Sequence, residues 1–500
     1  ILGLLSSFSL PPYNFIIINF ITFPFLLFIV FNLKVFKKKP IAYFKVGWLF
    51  GFSYFLSNLY WIAYSLTYEE MFKIFIPLAI IIIPSLLAIF YGLAILFLIK
   101  INIKKIIASL ITFSLAVSIL DFIRSTVLTG FPWNLISFSW LGSINSLQVL
   151  SLIGTYSFNL ISITLFTLPF VFFFKNYKRT QFYVSLFLIL IISFNYLYGF
   201  QKLKEINNES YYSTNYKIKI ISPKISIDRF IKNVDEENIL IDLINLSSPE
   251  RNVPTIFIWP EGIFSGIDFN QLQEFKNLFL SNFSNNHIII MGINSHDNIN
   301  KIYNSMIIVD NNLKILSQYN KNKLVPFGEF LPFERFFNKI GFKKITKGYQ
   351  SFTKGKERNI IYLNHESFNL KFLPLICYEI IYSGYINSNY EKFDFIINIS
   401  EDGWFNNSIG PDQHFSHSIF RAIEEGVNII RSANNGISAY IDPSGKIIQS
   451  LESTQRGVIE LSNFKKPKNT YFSSNGNKIF FYFVLLYIIL IFFLNKKEKQ

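Results

Sequence analysis

Phe372-Leu-Pro-Leu-Ile-Cys-Tyr-Glu-Ile380 is an apolar run that ends on Cys377, the only cysteine among 500 residues. A run of this kind followed by a reactive-type residue predicts a buried strand whose C-terminal end delivers a side chain into a cleft. A lone Cys in apolar surroundings is more often an inert core residue than a nucleophile. The neighbouring runs change that balance. Thr255-Ile-Phe-Ile-Trp-Pro-Glu261 ends on a carboxylate, and Tyr319-Asn-Lys321 follows a third run. A fourth, Phe393-Asp-Phe-Ile-Ile-Asn-Ile-Ser400, leads into Glu401-Asp402-Gly403-Trp404. A Cys, a Glu and a Lys, each delivered from a strand end, are the parts that acyl transfer through a thioester requires.

Around these runs the polar segment 205–475 alternates strand-like and helix-like stretches, with Asp442-Pro-Ser-Gly445 as a hairpin turn. It reads as one extracytoplasmic α/β catalytic domain, without internal repeats. The rest of the chain has a different solvent. Apolar residues make up 51% of the sequence, with 58 Phe, and charged residues only 16%. That balance places part of the chain in a bilayer. Spans are expected at roughly 14–35, 42–65, 72–99, 104–122, 146–174 and 181–199, each long enough to cross ~30 Å of hydrocarbon, and a last one at roughly 479–494. Ile1–Leu10 reads as the end of a further helix closed by Pro11-Pro12, and a chain beginning at Ile1 rather than Met is expected to have a longer natural N-terminus. Pro77 and Pro84 predict a tilt or kink in the 72–99 span. The expected organisation is a transmembrane domain over 1–204 with about seven helices, the catalytic domain over 205–475, and a final helix with a basic tail over 476–500.

The formal net charge of +15 invites nucleic acid as a partner, but the Lys residues gather in short loops between apolar spans, where they orient membrane helices. Lys37-Lys38-Lys39, Lys100 with Lys104-Lys105, Lys175 with Lys178-Arg179, and Lys496-Lys497 with Lys499 alternate with loops poor in Lys and Arg. Placing all four clusters in the cytoplasm puts both termini inside and the catalytic domain on the outer, periplasmic face. The outward loop Leu128-Thr-Gly130-Phe-Pro-Trp133-Asn134 holds two further candidates. Arg124, before it, is expected at the outer interface, snorkelling to headgroups or contacting a lipid phosphate. Trp133 is expected in the interfacial aromatic belt or, less readily, against substrate.

A thiolate attacks a carbonyl only if something takes its proton and something stabilises the oxyanion. No His lies near Cys377 in sequence, although folding could bring one close. His414 and His417, three apart, could mimic a metal pair, but no third ligand is signalled and a single cysteine rules out internal disulfides and Cys-based zinc sites. No cofactor and no metal are expected. The remaining base is a carboxylate. Glu261 would need partial burial to match a thiol, and Lys321 is the candidate cation for lowering the thiol pKa and countering the oxyanion.

The motifs Trp259-Pro-Glu261, Tyr319-Asn-Lys321-Asn-Lys-Leu-Val-Pro-Phe-Gly-Glu329 and Ile376-Cys377-Tyr378-Glu379 resemble the Glu–Lys–Cys signature of the nitrilase (carbon–nitrogen hydrolase) superfamily. Asp402-Gly-Trp404-Phe405, Gly410-Pro-Asp-Gln-His414, Arg421-Ala-Ile-Glu424, Arg431-Ser-Ala-Asn-Asn-Gly436 and Gly130-Phe-Pro-Trp-Asn134, with the membrane spans, resemble the bacterial apolipoprotein N-acyltransferase family over essentially the whole chain. The resemblance implies a four-layer αββα sandwich at the bacterial inner membrane. It also implies a two-step transfer. Cys377, activated by Glu261, takes an acyl chain from a phospholipid such as phosphatidylethanolamine. The α-amine of a diacylglyceryl-cysteine at an apolipoprotein's N-terminus then attacks the thioester, with Lys321 stabilising both tetrahedral intermediates. Glu329, Tyr378 and Glu379 support the site by the same resemblance, against structural salt bridges or packing as the simpler roles. Trp404 and Phe405 are possible lid or substrate contacts, and a monomer is expected.

The departures are Ser222-Pro-Lys-Ile-Ser226 where the family shows a Gln-Gly-Asn-Ile-Pro-like run, Phe230 in the place of a Trp, and Glu401-Asp402-Gly403 where Asn-Asp-Ala is commoner. A membrane-anchored amidase that uses water as second nucleophile is the runner-up, and a polytopic transporter or sensor the third reading. The near absence of charge within the spans argues against transport.

Overall fold

The computed structural model describes residues 1–100, 105–332, 351–365, 368–387 and 389–496. Lys104, Lys497 and Lys499 of the basic loops lie outside the described residues.

The N-terminal region is helical: α1 (Leu2–Ser7), α2 (Asn19–Val35), α3 (Pro40–Leu59), α4 (Ile76–Phe97), α5 (Ile106–Thr126), α6 (Ile144–Leu147), α7 (Leu150–Thr167) and α8 (Lys178–Asn208). Among the described residues six stretches are long and apolar enough to cross a membrane: Ile16–Val35, Glu70–Phe97, Ile106–Thr126, Leu150–Phe173, Lys175–Asn208 and, near the C-terminus, Lys478–Lys496. The chain is therefore a multi-pass membrane protein. The expected span at 42–65 is helical as α3 but is not among the six. Its apolar character is diluted by Lys45, Gly47, Gly51, Ser53, Ser57 and Asn58. Two of these serve packing. A Cβ on Gly47 would lie 2.4 Å from the Tyr91 carbonyl oxygen, and one on Gly51 2.9 Å from Tyr91 Cβ, so both let α3 and α4 approach closely.

Pro77 falls in the first turn of α4, where a missing N–H costs nothing, and Pro84 sits inside that helix. The pronounced break in the bundle is elsewhere, in α7, where Gly154 takes φ 70° and ψ 173°. A Cβ there would meet the Phe472 ring at 2.0 Å, so only glycine fits both the backbone and the space. The break frees the Thr155 N–H, which donates to Glu424 Oε1 at 2.6 Å.

The structure corrects both expectations for the outward loop. Arg124 is buried rather than interfacial. It pairs with Asp121 at 3.1 Å one turn earlier on α5 and donates to the Phe131 and Trp133 carbonyls at 2.6 and 2.9 Å. A guanidinium inside an apolar bundle must spend its donors on fixed partners, so it serves neither headgroups nor phosphate. Trp133 is likewise buried and outside any aromatic belt. Its indole N–H donates to Gln413 Oε1 at 2.9 Å, an acceptor shared with the Trp61 indole at 3.2 Å.

After α8 the periodicity changes from helical to strand-like. Twelve described strands form two six-stranded sheets. The first has the order β12 (Gly457–Phe464), β1 (Tyr212–Ser222), β2 (Thr255–Ile258), β3 (His287–His296), β4 (Ile302–Val309), β5 (Ile315–Asn320). The second has the order β11 (Ile447–Leu451), β10 (Ser438–Ile441), β9 (Asn428–Asn434), β8 (Phe395–Glu401), β7 (Phe368–Ile376), β6 (Ile361–His365). Each has three parallel central strands, β1–β2–β3 and β7–β8–β9, with antiparallel strands outside them.

The alternation of each strand divides two cores. Ile256 and Ile258 of β2 join the core between the sheets, while Phe257 and Trp259 join a separate cluster under α9 (Glu236–Ser247), α10 (Phe269–Leu272) and α11 (Lys276–Asn282). On the far side, α12 (Gly410–Glu425) covers β9 and β10. The layers are helix, sheet, sheet, helix, because central parallel strands need cover on both faces. Each large apolar side chain buried this way contributes about 1.5–3 kcal/mol.

The helices α12, α13 (Tyr471–Asn475) and α14 (Lys478–Lys496) join the sandwich to the bundle. Tyr68 donates to the Gly403 carbonyl at 2.8 Å and Gln148 to that of Ser444 at 2.8 Å, while Tyr382 donates to the carbonyls of Thr129 and Gly130 at 3.0 and 3.1 Å. Thr155 and Ser383 both donate to Glu424 Oε1, and Arg421 pairs with Glu424 at 2.9 Å.

Glu425, next to this cluster, is buried, and burial together with the Glu424 charge pushes its carboxyl from 4.5 up to about 8. A raised carboxyl favours the folded state only while the unfolded chain is also protonated. Its contribution is complete below about pH 4.5 and is lost as pH rises to about 8. Glu425→Gln is therefore expected to flatten the pH dependence of thermal unfolding. The wild type should lose Tm relative to the variant between pH 5 and pH 8, and parallel curves would contradict the assignment.

Candidate active site

The site lies at the carboxyl ends of two central strands and one edge strand, where the polypeptide leaves the sheets and side chains escape the core. Glu261 follows β2 through Trp259-Pro260, Lys321 follows β5, and Cys377 follows β7. All three are buried, and the structure brings them into one cluster. Lys321 Nζ lies 3.1 Å from Glu261 Oε1 and 2.8 Å from Glu329 Oε1. Asn304 of β4 donates to the same two oxygens at 2.7 and 2.9 Å, and the Glu401 N–H donates to Glu261 Oε2 at 3.0 Å. Each Glu261 oxygen therefore has a fixed partner. Gly292 makes room for this arrangement, since a Cβ there would come within 2.5 Å of Glu261 Cα.

Cys377 takes a left-handed backbone, φ 52°, at the turn from β7 into a short 3₁₀ segment. Such a conformation costs a non-glycine residue about 1–3 kcal/mol and persists only where its surroundings impose it. Glu379 imposes it. Its Oε2 accepts the Ile376 N–H at 2.9 Å, while Oε1 accepts from Tyr319 Oη and from the Asn322 and Lys323 N–H groups at 2.7, 3.0 and 3.0 Å, and pairs with Arg358 at 2.8 Å. Glu379 thus ties the cysteine turn to the loop that carries Lys321. Asn398 of β8 donates to the Leu375 and Cys377 carbonyls, both at 3.2 Å. Tyr378 donates to the Leu324 carbonyl at 2.7 Å, with Lys321 Nζ 5.7 Å from its ring centre.

Electrostatics follow from this packing. Burial pushes the Cys377 thiol well above its ordinary value, and the Glu261 charge adds to it, with Lys321 only partly compensating. Burial works to strip Lys321 of its proton, but the Glu261 and Glu329 charges outweigh it and hold the ammonium well above its ordinary value. The resting pair at neutral pH is thus a neutral thiol and a firmly charged ammonium. A thiol of this kind must lose its proton as it attacks.

A second buried network lies beneath. Arg431 bonds Asn398 and pairs with Asp402 at 2.8 Å, and Asp402 accepts from His414 Nδ1 at 2.9 Å and from Ser400 at 2.7 Å. Burial would raise Asp402, but Arg431 and His414 hold it well below the usual carboxylate range. His414 is thus the imidazole that folding brings to Cys377. Burial lowers its pKa, while Asp402 and the Cys377 backbone act to raise it. His417 packs between Trp133 and Phe138, with ring centres 5.3 and 4.4 Å away, and among the described residues no three His, Cys, Asp or Glu side chains converge for a metal ion.

The lid candidates stand at the junction with the bundle. Trp404 packs on Phe230 at 5.2 Å and Tyr68 at 5.8 Å, and Phe405 on Trp61 at 4.6 Å. Glu401, where the sequence departs from the resemblance, forms a buried ion pair with Arg229, whose guanidinium lies 4.4 Å over the Phe230 ring. Asn304, Asn398, Arg229 and Gly292 were not singled out from sequence. Asn304-Ser305 interrupting the apolar run Ile302–Val309 was the available signal for the first; the others carry none that spacing alone reveals.

A double-sheet region of this type joined to apolar helices defines a membrane-embedded enzyme of the carbon–nitrogen hydrolase class. The model of the carbon–nitrogen hydrolase family matches residues 235–461, and that of the apolipoprotein N-acyltransferase N-terminal domain matches residues 2–168. Proteins called apolipoprotein N-acyltransferase from Rickettsia typhi and Rhodopseudomonas palustris are 34% and 29% identical to the chain. The alignments cover 95% and 92% of it, and 94% and 87% of those proteins. The chain belongs to the apolipoprotein N-acyltransferase family.

Proposed function

We propose that the protein moves an acyl chain from a phospholipid, of the phosphatidylethanolamine type, to the N-terminal α-amine of a diacylglyceryl-cysteine in apolipoproteins. Glu261 takes the Cys377 proton as sulfur bonds to the ester carbonyl, and Lys321 faces the developing oxyanion. Collapse breaks the acyl C–O bond, Glu261 returns the proton to the leaving alkoxide, and a lysophospholipid departs. The acceptor amine then attacks the thioester, the C–S bond breaks, and the amine proton passes through Glu261 to the thiolate. Glu329, Glu379 and Tyr378 position these groups, and Trp404 and Phe405 border the site from the bundle side.

The observation that carries this reading is the convergence of Glu261, Lys321 and Cys377 against a bundle of membrane-crossing helices. A two-chain lipid does not readily leave the bilayer, so the chemistry is held at its surface. The basic loops favour an inner-membrane protein with the catalytic region 205–475 on the outer face, borne by helices in 1–204 and 476–500. It acts as a monomer.

The test is intact mass after incubation with phosphatidylethanolamine. An added acyl mass removable by hydroxylamine, absent from Cys377→Ser and discharged by a diacylated lipopeptide, is expected. Loss of the adduct to water alone would favour an amidase, and no adduct with any lipid would overturn the reading.

A further inference from the structure

A pocket of about 300 Å³ opens beside Tyr378, the residue after Cys377. Its walls come from both halves of the molecule: Leu128 and Thr129 from the loop after α5, and Lys323, Phe330 and Lys354 from loops of the sandwich. The halves are joined there by Tyr382, which donates to the Thr129 and Gly130 carbonyls. Three features of the pocket point to a ligand.

The first is charge. Neither the Lys323 nor the Lys354 ammonium has a hydrogen bond or ion pair among the described residues. Lys323 is only in cation–π contact with Tyr382, 5.3 Å from its ring centre. Burial lowers Lys323, and the Lys354 and Arg358 charges lower it further. Glu379, the neighbouring carboxylate, is already committed to Arg358 and Tyr319. Two cations lining one pocket, with no counter-ion among the described residues, favour an anion there. The second is apolar surface. Leu128 is 90% exposed and holds φ 60°, a left-handed conformation in which a leucine is a true outlier. A strained backbone that presents an apolar side chain to the outside makes sense where an apolar ligand passes. The third is place. Leu128 follows directly on a membrane-crossing helix that ends at Thr126, so the mouth lies where a lipid can enter from the bilayer.

We infer that this pocket binds the phosphodiester of the acyl donor between Lys323 and Lys354, with Leu128 and Phe330 against the adjoining hydrocarbon. This deepens the function proposed above and rests on it. The sign of the charge fits the phosphodiester, the anionic group of the donor. Lys323 and Lys354 are positioning residues, since neither touches the reacting atoms.

The experiment compares two donors with the same acyl chain, a phosphatidylglycerol and a p-nitrophenyl ester that lacks phosphate, following thioester formation by intact mass. For Lys323→Met, and further for Lys323→Met/Lys354→Met, the ratio of kcat/KM on the phospholipid to that on the ester is expected to fall, by about tenfold for each ammonium removed. The fall should appear in KM, and Lys323→Arg should restore most of it. A ratio equal to the wild type, or a fall carried by kcat, would overturn the inference. Millimolar inorganic phosphate that leaves the phospholipid KM unaltered assigns the pocket to the intact headgroup, whereas competition would replace that assignment with a free-anion site. Failure of the wild type to form a thioester with either donor would refute the proposed function itself.

Discussion

Glu261→Gln is expected to slow thioester formation by at least about 10³-fold while the protein remains folded. The buried, raised Cys377 thiol does not supply a thiolate at rest, so a proton acceptor in the attack step is indispensable. Glutamine keeps the volume and removes the acceptor. It also disturbs the local bonding in a defined way. Oε1 of Glu261 faces two donors, Lys321 Nζ and Asn304 Nδ2, and Oε2 faces a third, the Glu401 N–H. An amide has one oxygen, so one orientation leaves the Glu401 N–H without an acceptor and the other sets N–H against N–H. Either costs about 1–3 kcal/mol. A modest drop in Tm with a far larger drop in rate is the expected signature. Wild-type rates of mass gain in this variant would mean that another group takes the proton.

Lys321→Met is expected to abolish both half-reactions and also to destabilise the protein strongly. Glu261 and Glu329 both lean on this ammonium, at 3.1 and 2.8 Å, and removing the charge leaves two carboxylates facing one another with only Asn304 between them. Breaking a buried pair by removing one partner costs about 3–5 kcal/mol. The structural and chemical roles can be separated by Lys321→Met/Glu329→Gln, which relieves the carboxylate repulsion. Its Tm should recover by several degrees while acyl-enzyme formation stays undetectable. Recovery of turnover in the double variant would show that Lys321 merely neutralises its neighbours.

The legible part of the fold was that governed by local pattern. The run Thr255–Ile258 alternates sides of a sheet and ends on Pro260-Glu261, and Phe368–Ile376 ends on Cys377. Their chemistry-bearing residues were legible because a strand in a covered sheet can carry a reactive group only at its end. The helix starting at Gly410 was readable from its proline at the first turn. Two strands, Ile361–His365 and Gly457–Phe464, were not expected, since edge strands alternate weakly and are defined by their partners. Arg124 and Trp133 were misplaced for a related reason. A charged residue and a tryptophan beside an apolar span have the composition of an interface. The acceptors that bury them, Asp121 one turn away and Gln413 at 280 residues' distance, become apparent only on folding.

The sequence by itself determined the two solvents of the chain, the strand ends that bear Glu261, Lys321 and Cys377, and the family whose motifs they match, because hydropathy, period and turn residues act over a few neighbours. The tertiary structure alone decided what surrounds those residues: Asn304 and Glu329 around Lys321, Glu379 behind the strained cysteine, the glycine break in α7 that hands a backbone N–H to Glu424, and the two lysines gathered beside Tyr378. Such contacts join positions tens to hundreds of residues apart, and burial is what gives them their energy, so no local pattern could carry them.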